Sequence, residues 1–209
     1  MPSLEHLIPF FLATAVFAYI PGPAILYTAA QTLSRGRAAG FMAALGIHLG
    51  GYAHVIAAAL GLSAAFAHVP EAYLALKLAG AAYLVWLGIG LMRRRLDADA
   101  LPHLAKKSAR RAFAESITVE LLNPKVAVFY IAFLPQFVDP AAALPVALQF
   151  LVLGVIVNAA FSSADIVTIL LTDRVLKGVR RSGLGERIAR LVGGSLLIGL
   201  GARMALAKD

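Results

Sequence analysis

The sequence predicts an all-α membrane protein: six transmembrane helices in two inverted three-helix repeats, with the first and fourth helices broken at proline motifs. Three observations lead there. The 209 residues are 60% hydrophobic and only 14% charged, which is more apolar surface than one soluble core of that size buries. The apolar residues gather in blocks, each near the roughly 20 residues that cross a bilayer. The cationic residues concentrate in the segments on one side of the resulting arrangement. No stretch alternates apolar and polar residues for long, which argues against a β-barrel.

The blocks follow in order. The first span covers about Leu4 to Leu33, the second Ala38 to Phe66 and the third Ala72 to Met92. The fourth covers about Ala112 to Val138, the fifth Ala143 to Leu171 and the sixth Ile188 to Leu206. No Lys or Arg precedes the first apolar run, so it lacks the charged start of a cleaved signal peptide and is expected to be retained. There are no cysteines, so disulfides and thiolate metal sites are excluded.

The 19 Lys and Arg against 11 Asp and Glu give a net charge of +8. Arg35 and Arg37 follow the first span. Arg93 to Arg95, Lys106, Lys107, Arg110 and Arg111 separate the third from the fourth. Arg174, Lys177, Arg180, Arg181, Arg187 and Arg190 separate the fifth from the sixth. Lys and Arg favour cytoplasmic segments, which places both termini outside the cytoplasm and the chain, as a multi-pass protein, in the inner (plasma) membrane. With no soluble domain beside them, these basic segments are read as topology signals that also meet anionic lipid, and not as a nucleic-acid surface.

The central basic loop, about 93–111, divides one transmembrane domain (1–209) into repeats of about 1–92 and 112–209. Three spans is an odd number, so the second repeat enters the membrane from the opposite side, as in inverted-repeat transporters. Gly80 and Gly88 in the third span recur with the same spacing as Gly193 and Gly201 in the sixth. Gly46 and Gly50 have the small-residue spacing that lets helices pack closely in lipid.

Residues 18–27, AYIPGPAILY, interrupt the first span; residues 121–129, LLNPKVAVF, interrupt the fourth. Proline lacks an amide proton and clashes with the preceding turn. Pro21 precedes Gly22 and Pro23, and Asn123 precedes Pro124 and Lys125. A capping residue followed by proline is a good helix start. Each break is therefore expected to begin a half-helix whose free N–H groups and positive dipole end suit an anionic group such as a carboxylate. A plain proline kink is the simpler reading of either break taken alone.

The stretch 21–50, PGPAILYTAAQTLSRGRAAGFMAALGIHLG, resembles the lysine exporter (LysE) and homoserine/threonine resistance (RhtB) family of amino-acid exporters. So do 76–91, LKLAGAAYLVWLGIGL, and 123–140, NPKVAVFYIAFLPQFVDP. The likeness extends over the whole chain. It implies export of amino acids or close derivatives from the cytoplasm, driven by the proton gradient. Family members often carry an acidic residue just after the second glycine of the second span; this chain has Gly51 there.

Polar residues at membrane depth are few, and an ionisable one costs about 2.5–3.5 kcal/mol on insertion scales. Asn158, Ser162 and Asp165 share one face of the fifth span. Asp165 is a candidate for the substrate amine, for the coupling proton, or for a structural partner. Asn158 is a candidate substrate contact. Lys125 either attracts a substrate carboxylate or neutralises Glu120 or Asp165. Glu120, His48 and His54 are further candidates for proton transfer. The two histidines lie on different faces of the second span, against a shared metal site; hydrogen-bonded packing is the alternative for both. Lys77, near a span end, is expected to snorkel. No cofactor is implied. The sequence has no His-Glu-x-x-His motif, no phosphate loop and no nucleophile–base pairing, so an enzyme is not expected. A passive channel, an exporter of another small solute and a homo-oligomer remain compatible with these residues.

Overall fold

The computed structural model describes residues 4–64 and 109–181, together with scattered residues within 78–93 and 187–206. Side chains are described within 7–64 and 111–172 and at the scattered positions. The helices are α1 (Leu4–Tyr19), α2 (Pro23–Arg35), α3 (Arg37–Ala57), α4 (Ala109–Leu121), α5 (Pro124–Val128) and α6 (Val146–Arg181). A π-helical turn, Ala58–Leu62, continues α3. Another, Phe129–Phe133, continues α5 and passes into a 3₁₀ turn, Leu134–Phe137.

Among the described residues, Arg37–Leu62, Arg111–Phe137 and Val146–Thr172 are long and apolar enough to cross a membrane. Leu7–Tyr19 and Pro23–Arg35 form a helix pair bent by 45° at its break, apolar enough for a broken span or a re-entrant loop. The described positions within 78–93 and 187–206 are helical. Lys77, Gly80, Gly88, Gly193, Gly201 and most of the basic loop lie outside the described residues, and with them the six-helix inverted repeat.

Both helix restarts fall where the prolines lie. α2 begins at Pro23 and α5 at Pro124. The two breaks differ in shape. At the first, Pro21 and Pro23 both lack an amide proton and Gly22 has no side chain to cap with, so the axis bends. At the second, Leu122 N still donates to Thr118 O at 3.0 Å and Asn123 N to Glu120 O at 3.0 Å. Asn123 then caps the restart by accepting from Lys125 N at 3.2 Å. The preceding turn stays intact, and the span continues without the sharp bend.

One residue, Gly36, joins α2 to α3. Its φ of 84° is in the left-handed region that disfavours a β-carbon. The fifth span was expected over Ala143 to Leu171. Its helix instead starts at Val146, after Pro145, and runs on to Arg181, so Arg174 to Arg181 lie on a helix. Loss of hydropathy marks where the bilayer ends, whereas helical hydrogen bonding continues through polar residues of good propensity.

α3 and α4 come together backbone to backbone. A β-carbon on Gly46 would lie 2.7 Å from the Phe113 carbonyl, and one on Gly50 would lie 3.0 Å from the Ile117 carbonyl. In lipid, helix contact relies on such close packing. Gly46→Leu should therefore force the helices apart at a cost of about 1–3 kcal/mol, read as a lower thermal midpoint in detergent. Gly61→Leu is the control, because a β-carbon there would meet nothing within 4 Å. Equal midpoints for the two variants would contradict this account of the crossing.

An aromatic column fills the core between α1, the α5 segment and α6. Phe17 and Phe129 have ring centroids 4.8 Å apart, Phe129 and Phe133 4.5 Å, and Phe133 and Phe137 4.9 Å. Large apolar side chains such as Leu122, at 75% exposure, and Leu60, at 68%, point outward, as a lipid-facing surface requires.

Candidate functional site

The two breaks meet. A small cavity is lined by Gly22, Ala24 and Ile25 from the first break and by Asn123, Lys125 and Val126 from the second. Ile47 of α3, Glu120 of α4, and Phe161 and Asp165 of α6 complete its polar and apolar walls, with Ala18 of α1.

The local chemistry of helix starts explains the polarity of this cavity. The first amides of a helix precede its first internal hydrogen bond. In α2 that bond is Leu26 N to Gly22 O, at 3.0 Å; in α5 it is Ala127 N to Asn123 O, at 3.0 Å. Pro23 and Pro124 carry no amide proton. The amides left before those bonds are Ala24, Ile25, Lys125 and Val126. Asn123 takes the Lys125 amide. The other three belong to cavity-lining residues, and Gly22 supplies no side-chain cap for the first turn of α2. Positive dipole ends of two half-helices thus face one space.

Three ionisable groups share that space. Lys125 Nζ donates to the carbonyl of Ile20 and lies over the rings of Phe17 and Phe161. Glu120 is 2% exposed, and Asn123 Nδ2 donates to its Oε2 at 3.0 Å. Asp165 is 1% exposed, and Thr28 Oγ1 donates to its Oδ1 at 3.5 Å. A small molecule with one cationic and one anionic group would find partners for both here.

Of the residues singled out from sequence, Gly22, Asn123, Lys125, Glu120 and Asp165 come together around the cavity. Pro21, Pro23 and Pro124 shape it from outside its lining; all three are exposed. Asn158 and Ser162 share the Asp165 face of α6 but meet α3 instead. Asn158 Nδ2 donates to the His48 carbonyl at 3.1 Å, and Ser162 Oγ lies 2.6 Å from His48 Nδ1. A β-carbon on Gly51 would collide with Asn158 Oδ1, so glycine makes room for that contact. His54 Nε2 is 2.9 Å from the backbone carbonyl of Glu120, far along α3 from His48. The two histidines have separate partners, and among the described residues no group of three His, Asp or Glu is placed to hold a metal ion.

Thr28, Phe17, Phe161 and the Ile20 carbonyl escape a reading of the sequence. Thr28 had one available signal, a hydroxyl at membrane depth one turn and a half past Pro23. The phenylalanines had none, because aromatic side chains are ordinary filling for a span. Toward Gly36, Tyr27 packs with Ala43 and Ile47, donates to the Ala112 carbonyl at 3.1 Å and accepts from Gln31 Nε2 at 2.9 Å. This network joins α2 to α4 beside the cavity.

The family model described as LysE type translocator matches residues 15–208. A homoserine/homoserine lactone efflux protein of Salmonella typhimurium is 32% identical over 153 residues, 73% of each chain. A leucine efflux protein of Klebsiella pneumoniae is 28% identical over 205 residues, 95% of this chain and 94% of the relative. An uncharacterized membrane protein of Pseudomonas aeruginosa is 33% identical over 209 residues, 95% of this chain and 94% of that one. No solved structure matches.

Proposed function

The chain belongs to the LysE type translocator family, and from that premise we propose that it exports amino acids or close derivatives from the cytoplasm across the inner membrane, coupled to the proton gradient. It is a membrane translocator and not an enzyme. Relatives named for efflux of homoserine or its lactone and of leucine support an amino-acid substrate.

One observation carries the reading: the cavity where the two helix starts meet presents unpaired helix-start amides beside Lys125, Asp165 and Glu120. The amides of Ala24, Ile25 and Val126, with the Lys125 ammonium, suit a substrate carboxylate. The apolar wall of Ile25, Ile47 and Phe161 suits a side chain without charge. Asp165, in the same cavity, carries the coupling proton in this reading; Glu120 is held by Asn123.

Counterflow in proteoliposomes tests the function. Vesicles loaded with unlabelled leucine or homoserine should transiently accumulate the labelled amino acid from outside. A passive channel gives equilibration with no transient accumulation, and that result would sink the carrier.

The orientation, with both termini outside, rests on the distribution of Lys and Arg. Ser108→Cys should resist an impermeant thiol reagent in intact cells and react once the membrane is opened. Rapid labelling in intact cells would reverse the direction assigned to the chain.

A further inference from the structure

Lys125 brings a primary ammonium group into the core, and the surroundings that receive it are informative. α1 ends at Tyr19, and the chain turns away at Pro21, so the carbonyls of its last turn have no following helical amides to accept from. A helix end of this kind carries partial negative charge and favours a cation. Lys125 Nζ donates to the Ile20 carbonyl just beyond that end. The same nitrogen lies 5.2 Å from the ring centroid of Phe17 and 5.5 Å from that of Phe161, within the range of about 6 Å for cation–π attraction. The lysine stem lies close against Gly22, where a β-carbon would come 2.8 Å from Lys125 Cδ. Asp165 and Glu120, in the same cavity, have hydrogen bonds of their own from Thr28 and Asn123.

We propose that the Ile20 carbonyl and the Phe17 and Phe161 rings form a binding site for the primary ammonium group of the substrate, held in this structure by the chain's own Lys125. The proposal rests on the reading of the substrate as an amino acid. Its amine displaces Lys125 Nζ from the Ile20 carbonyl. The released ammonium then turns to the substrate carboxylate, beside the amides of Ala24 and Ile25. One lysine acts as a tethered stand-in before substrate arrives and as a carboxylate partner afterwards. The amine is assigned to a backbone carbonyl and two ring faces, which leaves Asp165 free of that task.

Removing the stand-in tests the site without requiring transport. Purified Lys125→Met protein in detergent is titrated with ethylammonium, which has the amine and no carboxylate, and with uncharged N-ethylacetamide. Ethylammonium should bind saturably, followed by calorimetry or thermal midpoint. Binding should be at least about tenfold weaker in the wild-type protein, where Lys125 competes, and about tenfold weaker again from the variant level when Phe161→Leu is added. N-ethylacetamide should not bind. A folded Lys125→Met protein that ignores ethylammonium, or binds it no better than wild type does, overturns the proposal; so does indifference to Phe161→Leu. If Lys125→Met does not fold, Phe17→Leu and Phe161→Leu in the otherwise unchanged chain decide. Each should raise the half-saturating leucine concentration in counterflow about tenfold, and unchanged values overturn the site. Ethylammonium binding by a protein that exchanges no amino acid would sink the exporter reading and keep the ammonium site.

Discussion

Lys125→Met should raise the half-saturating amino-acid concentration for exchange about tenfold above that of the wild-type protein. Methionine keeps an unbranched stem that fills the same space against Gly22 and under the Phe17 and Phe161 rings, so the change isolates the ammonium. A hydrogen bond to a charged partner contributes about 1.5–3 kcal/mol, which corresponds to roughly 10–150-fold in half-saturating concentration. The loss should sit at the upper end, because Glu120 and Asp165 remain in the cavity without its cation; the roughly tenfold gain from freeing the Ile20 site offsets part of it, leaving a net rise of about tenfold. Lys125→Arg restores the charge but carries a planar fork too broad for the same reach; it should recover only part of the exchange. Counterflow at increasing leucine concentration measures both. Wild-type half-saturation in Lys125→Met would remove Lys125 from the carboxylate site.

Asp165→Asn should lose gradient-driven accumulation while keeping exchange across an unenergised membrane. Asparagine has nearly the same shape and still accepts from Thr28 Oγ1, so the packing of α6 against α2 should persist. It has no proton to release. With one proton exchanged per substrate, a gradient of about one pH unit supports roughly tenfold accumulation, and the variant should show none of it. Exchange that weakens together with accumulation would instead mean that Asp165 holds the substrate amine, in conflict with the Ile20 site. A poorly folded variant would point to a structural carboxylate. Full pH-driven accumulation by Asp165→Asn would end its role in coupling.

How far each feature can be read from sequence follows from the range of the forces behind it. Proline acts on its own backbone and on the turn before it. The prolines therefore determined, in sequence alone, that helices restart at Pro23 and Pro124, and Asn123 announced itself as a cap. The apolar blocks determined three of the spans to within a few residues, because solvation by lipid depends on composition averaged over a whole segment. The family likeness was legible in the same local motifs, and the family model matches residues 15–208.

Partners are a different matter. Asn158, Ser162 and Asp165 share a helix face, yet only Asp165 reaches the cavity, while the other two meet His48. The Lys125 ammonium finds the Ile20 carbonyl 105 residues away rather than Glu120, five residues before it in the chain. Phe17 and Phe161 become a cation's ring faces only because α1 and α6 flank the second break. These outcomes depend on how helices far apart in sequence cross and rotate against one another. That geometry is decided by contacts such as Gly46 against Phe113 and Gly51 against Asn158, where the absence of a side chain lets two elements approach. Local backbone sterics thus determined where the helices begin, and only the tertiary packing decided which charges they bring together.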